Sequence, residues 1–160
     1  MSFSLCKSVW FFLALGLVAA SGRLQADQGA LQAIREAGGI VRSMGGGWGI
    51  EFQRKGKAMK SNSLVDVALL GESVLALNLR GTLTTNVDLK QVGKLRRLGR
   101  LHLERTEVSD DGMAHLAGLK DLRYLNLYGT KVSDSGLVHL AALENLERLY
   151  VWETAVTTEG

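Results

Sequence analysis

"LKDLRYLNLYGTKVSDSGLVHL" occupies residues 119–140, with leucines at Leu119, Leu122, Leu125, Leu127, Leu137 and Leu140. Apolar residues recur every three or four positions in a helix and every second position in a strand, and this stretch follows both rules in turn. Around Leu125 and Leu127, "YLNLY" alternates. Both leucines then point one way and Tyr124, Asn126 and Tyr128 the other, as in a short strand with one buried face. After "GTKV", the run "SDSGLVHLAAL" places Leu137, Leu140 and Ala141 on one helical face. Ser133 or Asp134 is positioned to cap that helix's first amides. Such a unit is too small to bury its own apolar faces.

The chain supplies neighbours for it. The same pattern recurs at a shift of 24 residues, as "LRRLGRLHLERTEVSDDGMAHLAG" at 95–118 and "LENLERLYVWETAVTTEG" at 143–160. One step further back, "GESVLALNLRGTLTTNVDLKQVGK" at 71–94 keeps Leu77, Leu79, Thr82, Leu89 and Val92 in register. Half a unit earlier, "SNSLVDVALL" offers Val65 and Ala68 for the helix positions. Units of this kind bury a continuous core by stacking, which predicts a solenoid.

The pattern "LxxLxxLxLxxTxVSDxGLxxLxxL" resembles the leucine-rich repeat, in the variant that carries Thr where many repeats carry Asn. It is similar to the repeats of F-box-type adaptors and of many exported bacterial proteins, over about residues 61–160. The resemblance implies an α/β fold with a parallel sheet on the concave side, helices on the convex side, and binding of other macromolecules as the usual role. No F-box segment stands among residues 1–60, so a ubiquitin-ligase role is not carried over. Thr82, Thr106, Thr130 and Thr154 take the ladder position, where a hydroxyl satisfies buried backbone groups of the turns between units. The last repeat breaks off at Gly160, which leaves Leu149 and Val151 without a following helix. Either a truncated gene product or self-association through that open end is a further expectation, since unclosed repeat ends and free strand edges recruit other chains.

Residues 1–26 read as a secretory signal: Lys7, then a charge-free apolar run from Val9 to Ala20, then a polar stretch ending in Ala26. The run is short for a membrane span, which needs about 20 apolar residues. An uncleaved N-terminal membrane anchor is the alternative, and a cut after Ala20 rivals one after Ala26. Without Lys7 and Arg23 the 19 basic residues become 17 against 16 acidic, a net of +1. The exported chain is therefore not generally basic, and "QRKGKAMK" (Arg54, Lys55, Lys57, Lys60) lacks the aromatic interleaving of a nucleic-acid site. Cys6, the only cysteine, lies in the removed segment, so packing alone must hold the exported chain together.

Residues 27–60 do not repeat and read as a cap on the first unit. "DQGALQAIREAGG" sets Leu31, Ile34 and Ala37 on one helical face and stops at Gly38 and Gly39. "IVRSMGGGWGIEFQR" then reads as two strands around Gly45, Gly46 and Gly47. The triple glycine is no phosphate loop, because no "GK[ST]" follows it.

Chemistry is sparse. His115 and His139 differ by one repeat and lack the cysteine or carboxylate partners of a zinc site. His102 and Glu104 share the outward side of one strand, with Arg80 on the neighbouring one, and an acid, a base and a cation together suit general acid–base work. An open sheet offers no evident pocket there. "GESVL" at Gly71 lacks the second glycine of a nucleophile elbow. As a surface the concave face says more. Its outward rows read Ala76, Arg100, Tyr124, Arg148, then Asn78, His102, Asn126, Tyr150, then Arg80, Glu104, Tyr128, Trp152. Aromatic residues and arginine dominate binding hot spots because they bury much area at little entropic cost.

The sequence thus points to a non-catalytic, extracytoplasmic binding module without cofactor or metal. Its binding residues are Tyr124, Tyr128, Arg148, Tyr150, Trp152, Arg100, His102 and Asn126. Its partner is a protein, or else a surface glycan, with neither nucleic acid nor, once the signal is cut, membrane. The rival expectations are an enzyme built on His102 and Glu104, or a purely structural part of a larger repeat assembly.

Overall fold

The computed structural model describes residues 27–52 and 63–159. The signal-like segment 1–26 with Cys6, and the basic cluster from Arg54 to Lys60, lie outside the described residues. The chain is α/β. A first helix, α1, covers residues 27–36 and ends as expected at Gly38, whose φ of 89° suits only glycine. There follow β1 (Gly39–Met44), β2 (Gly47–Phe52), α2 (Ser63–Leu69), β3 (Val74–Asn78), α3 (Asn86–Val92), β4 (Arg100–His102), α4 (Asp110–Met113), β5 (Tyr124–Asn126), α5 (Asp134–Leu140) and β6 (Arg148–Tyr150). The six strands form one sheet in chain order, antiparallel between β1 and β2 and parallel from β2 to β6. From β3 onward each strand pairs with residues 24 further on, aligning Leu77, Leu101, Leu125 and Leu149.

That register builds the core. Leu77, Leu101 and Leu125, with Leu79, Leu103 and Leu127 two residues on, are fully buried. They join Leu89, Val92, Met113, Leu116 and Leu140 from the helical segments, and Leu31, Ile34, Ile50 and Phe52 from the first fifty-two residues, in a single cluster. Each such side chain contributes roughly 1.5–3 kcal/mol by leaving water. Leu149 on the outermost strand stays 39% exposed.

Two expected helix positions are corrected. Val65 is exposed and Ala68 only half-buried, and Leu64 and Val67 face the core instead. Gly71, at φ 50°, opens a 3-10 turn over Gly71–Ser73 that sets Leu70 and Val74 four residues apart, where the next unit sets Leu95 and Leu98 three apart. The added residue slides the helix phase by one. In α5, Leu137 packs on the core and Leu140 is buried, whereas Ala141 is the exposed C-cap, its amide bonded to the Val138 carbonyl.

Three features recur from turn to turn. The ladder threonines Thr82, Thr106, Thr130 and Thr154 donate to the carbonyls of Leu79, Leu103, Leu127 and Val151, at 2.6, 2.7, 2.7 and 2.5 Å. They close their own unit's turn, and the backbone does the bridging: the Gly81, Arg105 and Gly129 amides donate to the carbonyls of Glu104, Tyr128 and Trp152 in the next unit. That bridging residue is left-handed throughout, at φ 65° for Gly81 and Gly129 and 54° for Arg105 and Glu153. The third feature sits at the first residue of α3, α4 and α5. The Asn86 Oδ1 accepts from the Ser109 amide, the Asp110 Oδ1 from the Ser133 amide, and the Asp134 Oδ1 from the Thr157 amide. Ser133 is accordingly the N-cap of α5, receiving the Ser135 amide, while Asp134 reaches forward to the next unit.

Accepting those hydroxyl and amide protons holds the Asp110 and Asp134 carboxyls below the usual aspartate range. A lowered folded-state pKa gives stability that is complete above the unfolded value, near 4, and is lost as pH falls through the folded value. Asn86 shows that an amide fits the position. Asp110→Asn with Asp134→Asn is therefore expected to remove part of the stability loss between neutral pH and pH ~3, read as urea midpoints at the two pH values. An unchanged acid loss would discount the ladder carboxylates.

Candidate functional site

The helices cover one face of the sheet, and the opposite face carries the residues singled out above. The strand register places Gly49, Ala76, Arg100, Tyr124 and Arg148 in one row, and Glu51, Asn78, His102, Asn126 and Tyr150 in the next. Arg80, Glu104, Tyr128 and Trp152 follow just beyond the strand ends. At this margin Asn78 and Asn126 accept from the amides of Arg80 and Tyr128, each at 3.0 Å, and so fix the chain's exit from the strand.

Tyr124 is the hub. Its ring centroid lies 4.7 Å from that of His102 and 5.4 Å from that of Tyr150, both tilted. The Arg100 and Arg148 guanidiniums stand over the same ring, at 5.9 and 5.4 Å from its centroid. Tyr128 forms a second pair with Arg105, whose guanidinium lies 5.3 Å from the ring and donates to the hydroxyl at 3.4 Å. Tyr150 is 40% exposed and Trp152 76%.

Glu104 departs from expectation, because it is buried rather than displayed. Its Oε1 accepts from Asn126 Nδ2 at 2.9 Å and sits 2.9 Å from His102 Nδ1. Its Oε2 is sealed from solvent and has no hydrogen-bond partner. Among the described residues Arg80 forms no ion pair with it. The acid–base pair thus exists as a contact, while the third member of the expected trio does not join it.

The sheet face is also less open than its sequence suggests. Small residues at Gly49 and Ala76 leave a hollow of about 290 Å³ walled by Met44, Arg42, Glu51, Asn78, Arg100 and His102. A second, of about 210 Å³, lies between Ala76, Arg100, Tyr124 and Arg148, with Arg123 and Glu147 at its rim. The alternation of "GWGIEF", with Ile50 and Phe52 buried, is the signal that sets Gly49 and Glu51 outward. Locating the hollow also needs the pairing of Gly49 with Ala76, and that pair breaks the 24-residue period. Among the described residues no group of His, Cys, Asp or Glu could hold a metal ion, and no helix is long and apolar enough to cross a membrane.

No family model matches the chain, and no curated protein matches it.

Proposed function

We propose that the chain is a leucine-rich-repeat solenoid of about four units behind a helix-and-hairpin cap, and that it binds a protein partner without catalysis outside the cytoplasm. The observation that carries this reading is the gathering of Tyr124, Tyr150, Arg100 and Arg148 on the sheet face opposite the helices, with Tyr128 and Trp152 just beyond the strand ends. Strand propensity accounts for tyrosine within β5 and β6. It does not account for Tyr128 and Trp152, which lie past the strand ends. A tryptophan left three-quarters in water is apolar area that a partner removes, and Trp, Tyr and Arg are the side chains for which such removal contributes most.

The burial of Glu104 supports a non-catalytic role. One oxygen is engaged by His102 and Asn126 and the other is closed to solvent, so neither is placed to take a substrate's proton. The order of Lys7, apolar run and Ala26 supports export.

The test is capture of a partner from the protein's own extracellular fluid, followed by affinity measurement on variants. Tyr128→Ala with Trp152→Ala is expected to weaken binding about 30-fold or more, since one hot-spot aromatic contributes ~2 kcal/mol or more. Glu144→Ala, on an exposed connection, should leave affinity unchanged. Full binding by the aromatic double variant would exclude this face.

A further inference from the structure

The charges on this face are unevenly matched. Of the four arginines around the two hollows, Arg42 pairs with Glu51 at 3.5 Å and Arg123 with Glu147 at 2.9 Å. The side chains of Arg100 and Arg148 form no ion pair or hydrogen bond among the described residues, and both residues are exposed. The carboxylates that line the hollows, Glu51 and Glu147, are thus each engaged by another arginine. Glu104 lies sealed beneath the same surface. What remains is two uncompensated guanidiniums, one on each side of Tyr124, both resting over its ring.

We propose that this row docks an acidic, extended peptide segment of a protein partner, with two carboxylates pairing to Arg100 and Arg148 across Tyr124. The proposal rests on the reading of this face as a binding surface and specifies what that surface takes. Arg100 and Arg148 share one register position on β4 and β6, two strand spacings apart. Two spacings are about 9–10 Å. A polyproline-II segment has three residues per turn and rises 3.1 Å per residue, so residues i and i+3 share one side at about 9 Å. A Glu-x-x-Glu segment laid across the strands therefore meets both guanidiniums. A further three residues back, the same spacing brings a side chain over β2 and β3, where Gly49 and Ala76 leave the larger hollow with Met44 as an apolar wall. The recognised pattern is an apolar residue followed at intervals of three by two glutamates. Arginine suits it because the planar fork takes a carboxylate through two parallel bonds. Resting on Tyr124 also limits the freedom those side chains lose on binding.

The experiment is fluorescence anisotropy of the full chain with a labelled peptide Leu-Pro-Pro-Glu-Pro-Pro-Glu-Pro-Pro, against its counterpart with both glutamates replaced by glutamine. The glutamate peptide is expected to bind at least about tenfold tighter at low salt, with the margin shrinking toward ~0.15 M salt. Arg100→Gln and Arg148→Gln should each erase most of that margin and leave thermal unfolding unchanged, because both side chains are exposed. Equal binding of the two peptides, or a margin that survives both substitutions, overturns the proposal. So does displacement of the peptide by hyaluronate at a lower carboxylate concentration, which would make the ligand an acidic glycan. A partner captured through Tyr128 and Trp152 that ignores both arginine substitutions leaves the binding face standing and removes the acidic segment alone. A partner indifferent to Tyr128 and Trp152 removes the face itself.

Discussion

Leu125→Ala is expected to lower the free energy of unfolding by about 3 kcal/mol, and Leu149→Ala by about 1 kcal/mol or less. The two leucines are directly paired, at the same position of adjacent strands, and differ only in what lies beyond them. Leu125 is fully buried between Leu101 and Leu149. Truncating it forfeits the transfer of its side chain and leaves a closed cavity, the combination that gives losses of ~2–5 kcal/mol. Leu149 is 39% exposed, so part of its transfer was never gained and the space it vacates opens to water. Strand order adds a further asymmetry, because β5 has a paired strand on both sides and β6 on one. The measure is the urea midpoint at unchanged slope, where 3 kcal/mol is on the order of a hundredfold in the folding equilibrium. Equal losses at the two positions would mean that the outer side of β6 is covered in solution, the result self-association through that end would give.

The pattern of leucines and threonines made the register between β3 and β6 readable, because a period of 24 residues in the sequence became the pairing offset in the sheet. The two rows within the strands followed from alternation, whereas the third lies beyond the strand ends and its Glu104 is buried. Three things were hidden for identifiable reasons. The inserted residue at the Gly71 turn shifts α2 by one position, and a comparison at fixed offset is blind to a single insertion. The left-handed position shows itself as glycine at Gly81 and Gly129, yet Arg105 and Glu153 adopt it without that mark. Arg105 is tied there to Tyr128, its amide donating to the Tyr128 carbonyl and its guanidinium meeting the ring and the hydroxyl. The burial of Glu104 and the hollow over Gly49 and Ala76 both depend on side chains from different strands meeting. Residue type gave the charges on this face. Which of them cancel is a matter of distance, and the sheet alone sets that.

Gly136→Ala should destabilise the protein by about 2 kcal/mol, against the usual sign for this exchange in a helix. At an exposed helical site alanine is favoured over glycine by up to ~1 kcal/mol, because it loses less backbone freedom on folding. Here a Cβ would stand 2.5 Å from Asp110 Oδ1, 2.9 Å from Val132 Cγ1 and 3.2 Å from Asp110 Cα. Asp110 cannot yield cheaply, because its two oxygens hold the Ser133 amide at 2.7 Å and the Ser133 hydroxyl at 2.6 Å. Shifting it trades a helix-propensity gain for two hydrogen bonds between units, and hydrogen bonds to a charged group contribute ~1.5–3 kcal/mol each before solvent screening reduces them. The bonds outweigh the propensity. Gly112, one unit earlier, meets Asn86 Oδ1 at 2.6 Å and Leu89 Cδ1 at 2.9 Å, so its substitution should behave alike. Close stacking of successive helices at the bonded Asn or Asp therefore explains both glycines. A double-mutant cycle separates this cause from a general intolerance of the site. In an Asp110→Ala background the carboxylate clash is gone and only the Val132 and backbone contacts remain. Gly136→Ala should then lose about half its effect, a coupling of ~1 kcal/mol. A Gly136→Ala protein with a raised melting temperature would show that the helices stand further apart than these contacts require.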